Sequence, residues 1–243
     1  MKSANGQSEG KREPLKLRER AYESFIEHLL TGNIRPGQFL SQRELTELTK
    51  LPLGAIRELI PRLEVEGLII TVPQRGLQVV HADVKLIQDA FQFRLFLERE
   101  AAAIFAQEAS DEMLAELRKA HESMLVTFQR ASGKGHSDLV AQAQELDWHL
   151  HNTLINFLGN PIIASAYRVN LLKLRVFRQE RTRLNEAVVI PTMREHLVIL
   201  DALATRDPNK AADAMTTHVL HARDRALGLG TSAPAERAAK KRK

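Results

Sequence analysis

Apolar residues in the first part of the chain recur at the spacing of amphipathic helices. They stand three or four residues apart in residues 15–30, in a short segment after Ser41, and again from about Pro52 to Glu66. Ser41 followed by Glu44 is a capping-box sequence, in which the hydroxyl and the carboxylate each accept a backbone hydrogen bond. The pattern therefore predicts three consecutive helices.

After these helices the spacing becomes strand-like. Two short runs rich in leucine and β-branched residues, 68–72 and 77–80, are separated by a Pro-Gln-Arg-Gly tip, which predicts a β-hairpin. Three helices followed by a hairpin within about 65 residues is typical of a winged helix-turn-helix.

The remainder of the chain is dominated by helical periodicity. Asp83, Ser110, Asn160 and Asp207 stand where they would cap helix N-termini. The predicted helices lie at 83–108, 110–131, 137–158, 161–184, 190–205 and 208–227. The predicted fold class is therefore mostly α, with an N-terminal winged helix-turn-helix followed by an all-α bundle of about six helices.

Shifts in composition divide the chain into five parts. Both ends are polar and lack periodicity, which predicts disorder. The parts are a disordered arm at 1–13, the winged helix at 14–80, a linker at 81–84, the helical domain at 85–228 and a disordered basic tail at 229–243.

The composition narrows the classes of protein to which the chain can belong. There is no Cys among the 243 residues, which excludes disulfides, thiolate metal sites and cysteine nucleophiles. Aromatic residues make up only 5%, which argues against stacking platforms for single-stranded nucleic acid. No apolar run approaches the roughly 20 residues of a membrane span, and the N-terminus lacks the apolar core of a signal peptide. We therefore expect a cytoplasmic protein with no membrane partner.

The winged helix carries basic side chains at positions that such motifs present to DNA. The net charge of the chain is +5, and residues 1–80 hold 12 Lys and Arg against 10 Asp and Glu. Arg43 in the second helix and Arg57 in the third are expected to contact bases or phosphates. Arg75 and Gly76 at the hairpin tip suit a wing that enters the minor groove. The alternative is that the arginines are ordinary surface residues, paired with Glu44, Glu47 or Glu58.

One carboxylate and three histidines in the helical part have the residue types of a metal site. Asp147 and His151 are four residues apart, which places both on one face of a helix. His196 and His218 each lie on a later predicted helix. Oxygen and imidazole ligands without sulfur suit a divalent metal ion such as Zn²⁺, Ni²⁺ or Mn²⁺. Spacing alone leaves open a surface Asp–His contact and two unrelated histidines.

Arg94 allows two interpretations. It stands four residues before Glu98, so the two can form an ion pair along one helix face. A guanidinium can also bind the carboxylate of a ligand through two parallel hydrogen bonds. We favour the second interpretation, which makes Arg94 the effector-binding residue.

Two segments of the N-terminal part match a known family. RPGQFLSQREL and AIRELIPRLEVEGL, with the wing glycine, resemble the PG-x-x-L-[SP]-x-REL and VRE-x-L-x-RLE-x-EGL signatures of the GntR family of bacterial transcription regulators. The resemblance covers about residues 15–80 and implies that Arg43, Arg57 and Gly76 take DNA-contact positions. The chain departs from the family at residues 52–54, where Pro-Leu-Gly replaces the usual Ser-Arg-Thr type of run. Base readout is therefore expected to depend on the two arginines and on DNA shape.

Motifs in the helical part extend this resemblance. DWHLHNTLINFLGNP and REHLVILDALATRDPNKAADAMTTHV, together with Arg94 and Glu98, are similar to the FCD domain, the effector domain of FadR-like GntR regulators. The resemblance covers about residues 85–222. In metal-binding FCD proteins the matching Asp and three His are the ligands, which implies a site made by Asp147, His151, His196 and His218.

The resemblance implies a ligand-responsive transcription regulator and not an enzyme. Such a protein binds double-stranded operator DNA as a homodimer and responds to a small carboxylate effector held at the metal and Arg94, most commonly as a repressor. Two alternatives stay open at this point. One is a metal-dependent hydrolase or isomerase, with Glu145 or Glu195 as general base. The other is a direct metal-ion sensor.

Overall fold

The chain folds into two compact units, which divide between residues 82 and 83. This division lies within the segment predicted as a linker. The computed structural model describes residues 9–81, 83–131, 136–177 and 184–229. The first eight residues of the predicted arm and residues 230–243 of the predicted tail lie outside the described residues.

Over its described residues, the first unit contains three helices and three short strands. α1 spans Glu9–Leu30, α2 Gln42–Thr49 and α3 Leu53–Val65, and the strands are β1 Phe39–Leu40, β2 Ile69–Val72 and β3 Gly76–Val79. The apolar stripes of the helices supply the core, which includes Phe25, Leu29, Leu45, Ile56, Leu59 and Leu63. Residues 9–13, predicted to be disordered, are instead helical. Glu, Lys and Arg in this segment have high helix propensity and extend α1 upstream of its amphipathic part.

The three strands form one antiparallel sheet in the order β1-β3-β2. β2 and β3 make the predicted hairpin, with Ile69 opposite Val79. β1 pairs with the other edge of β3, where Leu40 lies opposite Leu77. The sequence pattern does not predict β1, because a two-residue strand is too short to show alternation.

The helix-turn-helix starts at the predicted capping box. The Glu44 amide donates to Ser41 Oγ at 3.1 Å, and the Ser41 amide donates to Glu44 Oε2 at 2.7 Å. Lys50 ends α2 with φ of 57°, in the left-handed region. The chain then turns through Pro52 into α3.

Within the described residues, the second unit consists of six helices. They are α4 Val84–Glu108, α5 Asp111–Arg130, α6 His136–Phe157, α7 Pro161–Phe177, α8 Glu186–Ala204 and α9 Pro208–Ala226. The predicted N-caps Asp83, Ser110, Asn160 and Asp207 each accept a backbone hydrogen bond in the first turn. α8 begins earlier than predicted because Asn185 caps it.

α4 is the central helix of this bundle. It packs against α6, α7, α8 and α9, and its buried Phe91 and Phe105 belong to the main apolar core. α4 also directly follows the linker, so it connects the core of the second unit covalently to the first. Among the described residues, no helix combines the length and hydropathy needed to cross a membrane.

Candidate metal centre and DNA-binding surface

The four residues proposed as metal ligands meet at one point inside the second unit. Asp147 and His151 come from α6, His196 from α8 and His218 from α9. One ligand atom from each of the four lies within 4.8 Å of all the others. The bundle therefore brings together side chains that are up to 71 positions apart in the sequence.

The distances between these atoms are close to those in a metal coordination shell. His218 Nε2 lies 3.2 Å from His151 Nε2 and 3.3 Å from His196 Nε2. Asp147 Oδ1 lies 3.4 Å from His196 Nε2 and 3.9 Å from His151 Nε2. Ligand atoms bonded to a single ion at about 2.1 Å lie roughly 3.0–3.4 Å from each other. The arrangement is close to this spacing, and the three histidines are buried.

Two of the imidazoles have a carboxylate beside Nδ1. His218 Nδ1 lies 2.8 Å from Glu195 Oε2, and His151 Nδ1 lies 2.8 Å from Glu98 Oε2. The second approach is not well aligned for a hydrogen bond. A carboxylate beside Nδ1 favours the proton on that nitrogen and leaves Nε2 with its lone pair. In both residues Nε2 is the atom that faces the centre.

His121, on α5, is a fourth histidine at this site. Its Nε2 lies 3.1 Å from His196 Nδ1, and its Nδ1 lies 2.7 Å from the carbonyl oxygen of Leu117. Burial lowers the pKa of His121 to about 4, so its ring is neutral at pH 7. Sequence spacing did not single out His121, because it lies on a helix that supplies none of the four proposed ligands.

The protonation states of His196, His218 and Asp147 also suit metal binding. Burial lowers the pKa of His218 to about 3, against the raising effect of its hydrogen bond with Glu195. Burial likewise lowers the pKa of His196, against the effect of Asp147. Burial raises the pKa of Asp147, but its hydrogen bond with His196 and the neighbouring histidines outweigh burial and hold that pKa well below its usual range. Neutral imidazoles and an ionised carboxylate are the forms in which these groups bind metals.

The donor set therefore fits a divalent ion. Imidazole lone pairs and a carboxylate oxygen converge in a buried space, and without a positive charge between them they repel one another. Nitrogen and oxygen donors in this combination suit Zn²⁺, Ni²⁺ and Mn²⁺ alike.

Arg94 and Glu98 form a buried pair beside this centre. Arg94 Nε donates to Glu98 Oε1 at 2.5 Å, and the hydroxyl of Tyr167 donates to the same oxygen at 2.8 Å. Glu98 is therefore shared between Arg94, Tyr167 and His151. The i,i+4 ion pair with Glu98 that was considered for Arg94 is therefore present, and both of its side chains are buried. Tyr167 was not identified from the sequence, because its role depends on the packing of α7 against α4.

Glu195 contacts two basic side chains in addition to His218. Arg225 donates to both carboxylate oxygens, at 2.8 and 3.0 Å, and His221 Nδ1 lies 3.1 Å from Oε1. Burial raises the pKa of Glu195, but the hydrogen bonds from His218 and Arg225 lower it to about 2. Glu195 is thus a fixed anion behind His218, which does not fit the role of a general base.

The DNA-binding surface of a helix-turn-helix is formed by α2 and the start of α3. Arg43 is exposed on α2, and its Nε contacts Glu47 Oε1 at 3.0 Å. Arg57 is exposed on α3, and its Nε lies 3.4 Å from Gln42 Oε1. The pairing with Glu47 considered for an ordinary surface arginine is therefore present for Arg43. An exposed ion pair of this kind is worth about 0–1 kcal/mol, so a phosphate can replace it.

The wing presents Arg75 and requires Gly76. The Arg75 guanidinium lies 4.2 Å from the centre of the Phe39 ring, which holds the exposed side chain beside β1. Gly76 has φ of 94°, and a Cβ at this position would lie 3.0 Å from the Leu40 carbonyl oxygen. The pairing of β1 with β3 therefore already accounts for this glycine, whatever the wing contacts.

The Pro-Leu-Gly run at residues 52–54, which differs from the family signature, lies at the exposed start of α3. Leu53 is 40% exposed, and a Cβ added to Gly54 would meet nothing within 4 Å. Residues 52–56 have no polar side chain, so Arg57 is the first polar residue of α3.

Models of known families match both units. The FCD domain matches residues 89–221, more than half of the chain, and the model for bacterial regulatory proteins of the gntR family matches residues 17–79. The HTH-type transcriptional repressor NanR of Klebsiella aerogenes is 27% identical over 248 residues, 90% of each chain. The Nta operon transcriptional regulator of Aminobacter aminovorans is 25% identical over 191 residues, 77% of this chain and 83% of that protein.

Solved structures share the fold. E. coli McbR/YncC superposes with a TM-score of 0.67 at 17% identity, covering 88% of this chain and 98% of that one. A GntR regulator of Rhodococcus sp. RHA1 gives a TM-score of 0.66 at 17% identity, with the same coverage. The mostly α fold class with its winged helix-turn-helix is confirmed. The chain belongs to the GntR family of bacterial transcription regulators and carries an FCD domain, a class of DNA-binding proteins and not of enzymes.

Proposed function

We propose that the protein is a repressor that binds operator DNA through its first unit and responds to a small carboxylate bound at a divalent ion in its second. The observation that carries this proposal is the convergence of Asp147, His151, His196 and His218. These four residues would hold the ion, which would supply a positive charge able to bind an anionic ligand. Repression is favoured because NanR, which matches along 90% of this chain, is a transcriptional repressor.

Arg94 is proposed as a second contact for the effector. The pair with Glu98 uses Nε and one terminal nitrogen of the guanidinium. An arginine has five N–H donors, so others remain for a ligand carboxylate. Arg94 is linked to the proposed ligands through Glu98, whose Oε2 lies 2.8 Å from His151 Nδ1.

A route from the effector to the DNA-binding unit is proposed through α4. Glu98 contacts His151 and lies on α4, the helix that begins directly after the linker. An effector that changes the position of His151 or Arg94 would therefore act on α4. Regulation requires that the effector bind one arrangement of the two units better than the other, because equal affinity shifts no population.

The DNA contacts proposed are Arg43, Arg57, Arg75 and the wing at Gly76. The three arginines are exposed on α2, α3 and the hairpin tip. Arg57 has an uncharged partner in Gln42, so its positive charge is not neutralised there. We also propose a homodimer, since GntR-type binding of a palindromic operator needs two recognition helices. Large apolar side chains exposed on α4 and α7, Phe96 and Ile162, are consistent with a contact between subunits.

The test measures DNA binding by fluorescence anisotropy, using a duplex selected from random sequence. Metal-stripped and Zn²⁺-reconstituted protein are compared with and without a panel of small mono- and dicarboxylates. We expect the affinity for the duplex to fall steeply as the salt concentration rises, with a log–log slope of about −0.9 per phosphate contact. We also expect at least one carboxylate to weaken binding by the reconstituted protein only.

Two controls make this experiment decisive. His196→Ala should keep DNA binding but lose the carboxylate response, whereas His149→Ala, an exposed position on α6, should keep both. If Zn²⁺ alone changed the affinity for DNA and no carboxylate had an effect, the effector would be the ion itself. Absence of specific duplex binding would contradict the regulator mechanism.

A further inference from the structure

We infer that Leu53 and Gly54, at the start of the recognition helix α3, read thymine through its C5-methyl group in the major groove of operator DNA. The inference rests on the DNA contacts proposed above and adds an apolar element to base readout by the arginines. Its basis is a leucine that the fold leaves exposed, next to a glycine that the fold does not require.

Leu53 is an apolar side chain on the DNA-facing side of α3. It is the first residue of the helix and is 40% exposed. It lies four residues before the exposed Arg57, which places both on one helix face. The side of α3 that faces the core is supplied by other residues, namely Ala55, Ile56, Leu59, Ile60 and Leu63. Leu53 is therefore free to contact a base edge, since the N-terminal residues of a recognition helix enter the major groove.

Gly54 is not needed by the fold. Its φ is not positive, and a Cβ added at this position would meet nothing within 4 Å. Neither the backbone conformation nor the packing accounts for a glycine here, although glycine forms helices less readily than alanine. The missing Cβ leaves bare backbone next to Leu53. Bare backbone allows another molecule to approach closely, as contact with a base requires.

The chemistry of this surface favours thymine over the other bases. Pro52, which precedes the helix, makes no side-chain capping hydrogen bond, and residues 52–56 carry no polar side chain. In the major groove thymine alone presents an apolar group, whereas guanine, adenine and cytosine present only donors and acceptors. Covering such polar groups without a hydrogen-bonding partner costs free energy. Leu53 and Gly54 therefore select for the base that loses least.

The experiment removes methyl groups from the DNA and leaves the protein unchanged. A duplex selected from random sequence by the full wild-type chain is synthesised again with deoxyuridine in place of one thymidine at a time. Uracil keeps the base pairing and the O4 acceptor and lacks only the C5-methyl group. Fluorescence anisotropy should show a loss of affinity of about fourfold for at least one thymidine in each half-site, as expected for one buried methyl group.

Leu53→Ala tests whether Leu53 makes this contact. The variant should bind the unmodified duplex more weakly and should no longer distinguish thymidine from deoxyuridine at that position. Val65→Ala is the matched control, because Val65 is 90% exposed at the other end of α3. It should keep both the wild-type affinity and the wild-type response to deoxyuridine.

Gly54→Ala tests the close approach. The added methyl group should weaken binding to the unmodified duplex by at least about fivefold, the lower end of the cost of a mismatched base pair. The stability of the first unit should not fall, because the new Cβ meets no atom of the protein within 4 Å. Unchanged affinity in this variant would overturn the role of Gly54.

The remaining outcomes separate the inference from the proposed function. If wild type binds the selected duplex but responds to no deoxyuridine substitution, the inference is overturned and the proposed DNA contacts stand. If Leu53→Ala keeps the wild-type response to deoxyuridine, the role of Leu53 is overturned. If wild type binds no duplex specifically, the proposed function is contradicted and the inference with it.

Discussion

The proposed metal site of the second unit depends on the contacts that orient each imidazole ring. His151, His196 and His218 each present Nε2 to the centre while Nδ1 contacts a partner on another helix, namely Glu98 on α4, His121 on α5 and Glu195 on α8. Partners of this kind fix the orientation of a ligand before the ion binds, which reduces the conformational entropy lost on binding. We therefore propose that these three partners orient the imidazoles of the proposed metal ligands.

In the first unit, the clearest prediction for a single residue concerns Arg57, a proposed DNA contact. Arg57→Ala should weaken operator binding and reduce the magnitude of the salt slope by about 0.9 if the side chain contacts one phosphate. The fold should be kept, since Arg57 is exposed and contacts only Gln42 among the hydrogen bonds of the described residues. Salt titrations of fluorescence anisotropy measure both effects.

The matched control for Arg57 is Lys119→Ala, which removes the same charge from an exposed position on α5 in the second unit. If both variants reduced affinity and slope equally, the effect of Arg57 would be one of net charge. That result would remove Arg57 from the proposed contact surface.

At the scale of elements, the wing depends on a tight approach between β1 and β3. Gly76→Ala is expected to lower the free energy of unfolding by about 1–2 kcal/mol, because a Cβ is strained at φ of 94° and would lie 3.0 Å from the Leu40 carbonyl oxygen. Gly54→Ala is the matched control, since its Cβ meets nothing within 4 Å and its φ is not positive. Gly54→Ala should be neutral or stabilising by up to about 1 kcal/mol. Hydrogen exchange of first-unit amides in the full chain measures both, and equal stability of the two variants would contradict the argument.

The elements with a long hydrophobic period could be predicted from the sequence. The helices α2 to α9 and the β2–β3 hairpin lie close to where periodicity, caps and turn residues indicated, although α8 begins before the predicted residue 190. β1 could not be predicted, because two residues show no period. The four proposed ligands could be identified from motifs, but His121, Tyr167 and the role of Glu195 behind His218 could not. These roles arise from the packing of α5, α7 and α8 against neighbouring helices. The spacing of residues within one helix does not predict such contacts.

At the scale of the whole molecule, we propose a symmetric dimer in which each chain has a DNA-binding unit and a ligand-binding unit. Two recognition helices that bind one face of DNA must be about 34 Å apart, or a multiple of that distance. Inserting five base pairs between the half-sites of a selected operator turns one half-site by about half a helical turn. We expect this insertion to reduce affinity to the level of non-specific duplex, as measured by anisotropy. Unchanged affinity would indicate binding by independent single chains.

The central claim, that the FCD domain holds a divalent ion, is tested most directly by elemental analysis of purified protein. Wild type, His151→Ala and His149→Ala are each stripped, reconstituted with Zn²⁺ and passed through gel filtration before measurement. The account predicts about one equivalent of Zn²⁺ per chain in wild type and His149→Ala, and much less in His151→Ala, which loses a buried ligand atom. Equal metal content in His151→Ala and wild type would contradict the proposed site, as would failure of wild type to retain any ion.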